Sequence, residues 1–111
     1  MTPHDPALRL KHMRDHARKS VEMAGDWSRS DLDSNEMLRL ALTHLVELVG
    51  EAASQVPEGT QKQYPQLPWS DVIGMRHRLI HGYDSIDFDI LWETIRKNLP
   101  DLIALLDEIL D

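Results

Sequence analysis

The chain has 111 residues, a formal net charge of −7, 41% hydrophobic residues and no cysteine. That length fits one domain over residues 1–111 with a thin core, and the composition excludes a disordered polypeptide, disulfides and thiolate metal sites. No apolar run approaches the roughly 20 residues of a membrane span, and the acidic balance is unlike that of a dedicated nucleic-acid binder.

Met1-Thr2-Pro3-His4-Asp5-Pro6 has no basic region followed by an apolar stretch, so no signal peptide is expected. The lack of thiols fits a reducing cytoplasm. Helical periodicity dominates, and no segment alternates strictly with period two. The first helix is predicted from Asp5 or Pro6 to about Ala24. Leu10, Met13, Ala17, Val21 and Ala24 form its stripe, and Gly25 is its stop. The second begins near Ser30 or Asp31, either of which can cap it, and runs to about Gln55. Leu38, Ala41, Leu42, Leu45, Leu48, Val49 and Ala52 make its apolar face.

Pro57, Gly59, Pro65 and Pro68 mark a connecting loop. A third helix opens at Pro68-Trp69-Ser70-Asp71 and ends at Gly82. A fourth starts at Asp87, a good cap, and carries Leu91, Trp92 and Ile95. Pro100 either starts a new helix, capped by Asn98, or kinks the old one. Leu102, Ile103, Leu106, Ile109 and Leu110 give the last segment its buried side. Short connections between amphipathic helices predict an all-α antiparallel bundle of four to five helices.

The informative stretch is Met75-Arg76-His77-Arg78-Leu79-Ile80-His81-Gly82-Tyr83. At about 100° per residue from Val72, Leu79 and Met75 fall on one side and Ile80 and Ile73 on the other. Arg76 lies between them, near the centre of the apolar arc, with Gly74, His77 and Arg78 opposite. A buried charge there needs a partner carboxylate, or the face must line a cleft. His81 sits at the end of the helix, where the dipole favours its protonated form and suits it to proton transfer. Its plainer role is to satisfy free carbonyls, and Tyr83's plainer role is to lid the bundle end. Residues five apart on an ideal helix are about 140° apart around the axis. Arg76 and His81 converge only if the helix unwinds near Gly82 or a second chain completes the site.

Arginine, four residues, histidine, one residue, tyrosine resembles the signature of the HepT-like toxins of the HEPN superfamily, here as Arg76, His81 and Tyr83. The wider pattern favours asparagine after the arginine, where this chain has His77. Leu48 to Ala53, Tyr64 to Trp69, Ile73 to Tyr83, and Trp92 with Leu99-Pro100 resemble family segments in the same order. The resemblance implies a HEPN-like bundle in a two-fold homodimer, with arginines and histidines facing a shared cleft. It implies RNA cleavage without a metal or other cofactor, by attack of the 2′-hydroxyl on the adjacent phosphate. His81 would move the proton and Arg76 would steady the phosphate. It also implies a nucleotidyltransferase antitoxin that transfers AMP to Tyr83, adding charge and bulk that repel RNA.

Glu47 and Glu51 are one turn apart on the polar side of the second helix, beside Gly50. A glycine there marks close approach of another backbone. Glu51 pairs with Arg76, within the chain or across a dimer, or belongs to a solvated acidic face. His77 and Arg78 are supporting candidates at the same site, Arg78 through long-range attraction to phosphate. His12 and His16 have zinc-ligand spacing but are two ligands only, so a solvated face is the simpler reading. The acidic charge favours a rival: a non-catalytic HEPN-like interaction or nucleotide-binding module partnering a nucleotidyltransferase. A third reading is an accessory subunit modified on Tyr83 with no ribonuclease role.

Overall fold

Asp5 closes the first turn of α1 (Pro6–Ala24), its carboxylate accepting the Ala7 amide at 3.0 Å. The computed structural model describes residues 5–81 and 85–111, with His81 by its backbone alone. Gly25 ends α1 at φ 41°, a left-handed conformation that suits glycine, and its amide donates to the Val21 carbonyl.

The single helix predicted from Ser30 or Asp31 to Gln55 is divided into α2 (Asp31–Ser34) and α3 (Glu36–Ser54). Asn35 makes the break. Its backbone is extended, and its side chain accepts the Leu38 amide at 3.0 Å. A short amide side chain competes with the ladder of one helix and caps the start of the next. The predicted loop after α3 contains a short helix, α4 (Glu58–Gln63), held by the Gln61 side-chain amide donating to the Val56 carbonyl.

The third predicted helix is also broken. α5 (Trp69–Ile73) and α6 (Met75–Leu79) meet at Gly74, and α6 stops at Leu79 rather than Gly82. The chain then becomes extended: β1 (Ile80–His81) pairs antiparallel with β2 (Ser85–Ile86), Ile80 opposite Ile86 and His81 opposite Ser85. The Asp87 amide donates to the Leu79 carbonyl at 2.8 Å, adding one more rung. A ladder of two residues a side is too short to show as period-two alternation. Asp87 caps α7 (Phe88–Glu93) as predicted, accepting the Ile90 amide at 3.0 Å.

α7 passes through a π-helical turn, Thr94–Asn98, directly into α8 (Leu99–Leu110). Pro100 therefore does not start a separate helix, and Asn98 is helical and makes no side-chain cap. Proline has no amide and its ring crowds the carbonyl four residues back, here Arg96; the wider turn just before it gives the room. Arg96 stacks on Trp92, 4.5 Å from the ring centroid, and donates to the Gly25 and Trp27 carbonyls at 2.6 and 2.8 Å.

The core lies around α1, which is packed between α3 and α8. Leu10, Met13, Ala17 and Ala24 of α1 meet Leu42, Val46, Val49 and Ala53 of α3 and Leu99, Leu102 and Leu106 of α8. Arg14 bonds Asp107 at 3.1 Å and Asp111 at 3.0 Å, and Arg18 bonds Asp107 at 2.6 Å, tying α1 to α8 along its rim. The short β1–β2 ladder aside, the chain is the all-α bundle that its periodicity predicts. Among the described residues no helix is long and apolar enough to cross a membrane.

Candidate functional site

The site begins with a missing side chain. A Cβ on Gly50 would stand 3.1 Å from the Val72 carbonyl oxygen and 3.9 Å from that of Ile73. Glycine therefore lets the backbone of α5 approach α3 closely, as the sequence predicts for a helical glycine. Val72, Met75 and Leu79 turn into the core behind it. Ile73, 36% exposed, falls outside that arc, and Ile80 packs against the core but is only half-buried. The true apolar arc is narrower than the wheel implies, and Arg76 lies at its margin rather than its centre.

Arg76 is accordingly exposed, not a core arginine. No carboxylate among the described residues lies within ion-pairing distance of it. Of the two options the sequence leaves, the face lines a cleft. Three concavities meet at Arg76. One of about 280 Å³ is lined by Arg76, His77 and Ile80. A second adds Glu47, Gly50, Glu51 and Ser54 of α3, and a third adds His44 and Leu48. His77 thus shares Arg76's side of α6, although the wheel puts it opposite.

Glu51 faces the same cleft but does not pair with Arg76; its carboxylate accepts the Gln55 amide at 3.1 Å instead. Arg78 lines a separate concavity with Asp71, Asn98, Asp101 and the apolar residues of α8, and donates to the Asp71 carbonyl at 3.1 Å. His81 is in β1, so the helix unwinds between Arg76 and His81, earlier than Gly82. Tyr83 lies outside the described residues. The segment after the ladder is anchored by Phe88, with the guanidinium groups of Arg29 and Arg39 over its ring at 5.9 and 5.6 Å from the centroid. Arg29 also bonds Asp89 at 2.7 Å, and that bond raises its already high pKa.

Sequence reasoning missed His44. It lies at helical spacing with Glu47, Leu48 and Glu51 on the exposed stripe of α3, and only the position of Arg76 shows that this stripe borders a cleft. His16, behind it on α1, has its pKa lowered by burial first and by the charge of His12 next. The folded state therefore binds that proton less readily than the unfolded chain does. Stability is expected to fall as pH drops below about 6.5, the ordinary histidine value. Melting curves of His16→Gln measured across that range should show a flatter pH dependence than the parent's.

A family profile described as ribonuclease HepT-like matches residues 13–109. A protein named as an RNase in Caldanaerobacter subterraneus is 31% identical over 105 residues, covering 95% of this chain and 94% of that one. Another so named in Methanocaldococcus jannaschii is 28% identical over 100 residues, with 90% and 92% covered. A protein named ribonuclease HepT in Thermococcus cleftensis is 27% identical over 88 residues, with 76% and 80% covered. No solved structure matches the chain.

Proposed function

From the chain's membership of the ribonuclease HepT-like family we propose that it is the toxin of a toxin–antitoxin pair, an endoribonuclease that needs no metal ion. The observation that carries the reading is Arg76: an exposed guanidinium without an ion-pair partner among the described residues, at the meeting point of three concavities. An arginine fork without a protein carboxylate is available to a phosphate. In the proposed reaction the RNA 2′-oxygen attacks the adjacent phosphorus and loses its proton. The 5′-oxygen leaves and gains one, and a 2′,3′-cyclic phosphate remains. His81 moves a proton, and Arg76 balances the charge that develops on the phosphoryl oxygens. His77 and Glu51 border the same cleft and support the site.

The acting species is a two-fold homodimer with α6 near its axis. Ile73 is exposed and Ile80 half-buried beside Arg76, which gives the seam apolar surface. The antitoxin is a nucleotidyltransferase that transfers AMP from ATP to the Tyr83 hydroxyl, which loses its proton as pyrophosphate leaves, and so blocks the cleft to RNA. The net charge of −7 favours a second reading, a non-catalytic interaction or nucleotide-binding module with the same partner.

One set of measurements separates these readings. The purified protein should have the mass of two chains by light scattering and should cleave RNA equally with and without chelator. Co-expression with the transferase should add adenylate mass to Tyr83 and silence cleavage, and Tyr83→Phe should escape both. Loss of cleavage in chelator overturns metal independence. A dimer that cleaves no RNA supports the binding module, and silencing with Tyr83 unmodified replaces AMP transfer by simple occlusion.

A further inference from the structure

The structure describes four histidine side chains: His44 and His77 line concavities that meet at Arg76, and His12 and His16 lie on α1, the helix packed against α3. His77 shares two concavities with Arg76. His44 shares a third with it from the other side. His12 and His16 are one helical turn apart on α1, and His16 is near enough to His44 for their charges to interact across the α1–α3 contact. Lys19, the next turn along α1, adds its charge to that neighbourhood.

Packing does not explain this arrangement. Among the described residues none of the four imidazoles makes an ion pair with a carboxylate. Histidines one turn apart repel each other when protonated. The negative groups facing them are Asp15 on α1 and Glu47 and Glu51 on α3. The other elements packed on α1 engage different residues: α8 pairs its Asp107 and Asp111 with Arg14 and Arg18, and Arg96 of the π-helical turn meets the Gly25 and Trp27 carbonyls. In a chain of net charge −7, a line of weakly basic groups that ends at an open arginine fits a polyanion laid along it.

We propose that His44, His16 and His12 form a phosphate-binding track that holds the RNA strand flanking the phosphate at Arg76. The inference rests on the ribonuclease reading for the identity of the polyanion, and on the histidine geometry for the track itself. A phosphate beside His16 offsets the burial and repulsion that disfavour its protonated form, so binding takes up protons. Affinity therefore rises as pH falls, and RNA protects the folded chain most under the acid conditions that weaken it alone.

The probe is a fluorescent single-stranded 2′-O-methyl oligonucleotide, which cannot be cleaved because its 2′-oxygen is capped. An oligonucleotide of about 12 nucleotides spans the track, whereas a dinucleotide reaches only Arg76. His12→Gln/His16→Gln/His44→Gln is expected to lose about tenfold or more in affinity for the longer probe near pH 6, and less near pH 8. The salt slope should flatten by roughly 0.7 for each phosphate that the variant no longer holds. His12→Gln/His44→Gln, which leaves half-buried His16 in place, repeats the test if the triple variant fails to fold. Equal affinity of variant and parent for the longer probe near pH 6 overturns the track. So does a loss of the transferase partner from the variant with RNA affinity intact, which would make the surface a protein contact. A parent that cleaves no RNA but binds the longer probe through these histidines keeps the track and overturns the ribonuclease reading.

Discussion

Arg76→Ala is expected to slow RNA cleavage by about 10²–10³-fold, the loss typical of one preorganised group that stabilises developing charge. The fold should be unaffected, because the Arg76 side chain is exposed and holds no carboxylate among the described residues. Arg76→Lys keeps the charge but not the two-pronged geometry, so it should recover only part of the rate. His81→Ala should cost about 10²–10⁴-fold through loss of a proton-transfer group. Arg78→Ala should be milder, because Arg78 lines a different concavity and is bonded to the Asp71 carbonyl. Single-turnover cleavage beside thermal melts of each variant decides the matter. Parental rates in both Arg76→Ala and His81→Ala would show that the site is elsewhere.

The largest structural loss is expected at Leu42. Its side chain is fully enclosed in the central cluster where α1 packs on α3, and Leu42→Ala should destabilise the fold by about 2–5 kcal/mol. Leu45, on the same predicted stripe, is also buried at 7% exposure but lies outside that cluster. Leu45→Ala should therefore fall at or below the low end of the same range. Urea unfolding midpoints compare the two directly; equal losses would mean that the core extends past Leu45.

The α1, α3 and α8 stripes were legible because each helix buries one continuous face, which writes the 3.6-residue period into the chain. The breaks were not. Ser30, Asp31 and Asn35 are all good caps, and the polar run Asp33-Ser34-Asn35-Glu36 has no apolar period to choose among them; the extended backbone of Asn35 and its bond to the Leu38 amide mark it as the joint. The wheel over residues 72–81 failed for a related reason. It assumes one unbroken helix, and it counts every isoleucine as core. Gly74 breaks the phase, Ile73 remains exposed, and Arg76 moves to the margin where a cleft needs it. The signature residues could be picked out by their spacing, but His44 belongs to no motif. It gains a role only when α3 and α6 are set side by side, which no single segment encodes.

The position of α1 has a consequence for biosynthesis. One flank of this helix packs against α3, which comes soon after it in the chain, but the other packs against α8, joined through Arg14 and Asp107, 93 residues apart. On the ribosome α1 and α3 can meet early, while the remaining apolar flank of α1 has no cover until α8 has emerged. Contacts so distant in sequence form last and carry the largest loop-closure cost. The bundle therefore closes only once α8 is available, and a product that lacks α8 leaves the flank of α1 that α8 covers open to water. Exposed apolar surface of that kind is what chaperones and proteases act on, so a copy lacking α8 is expected to be handled as an unfolded chain.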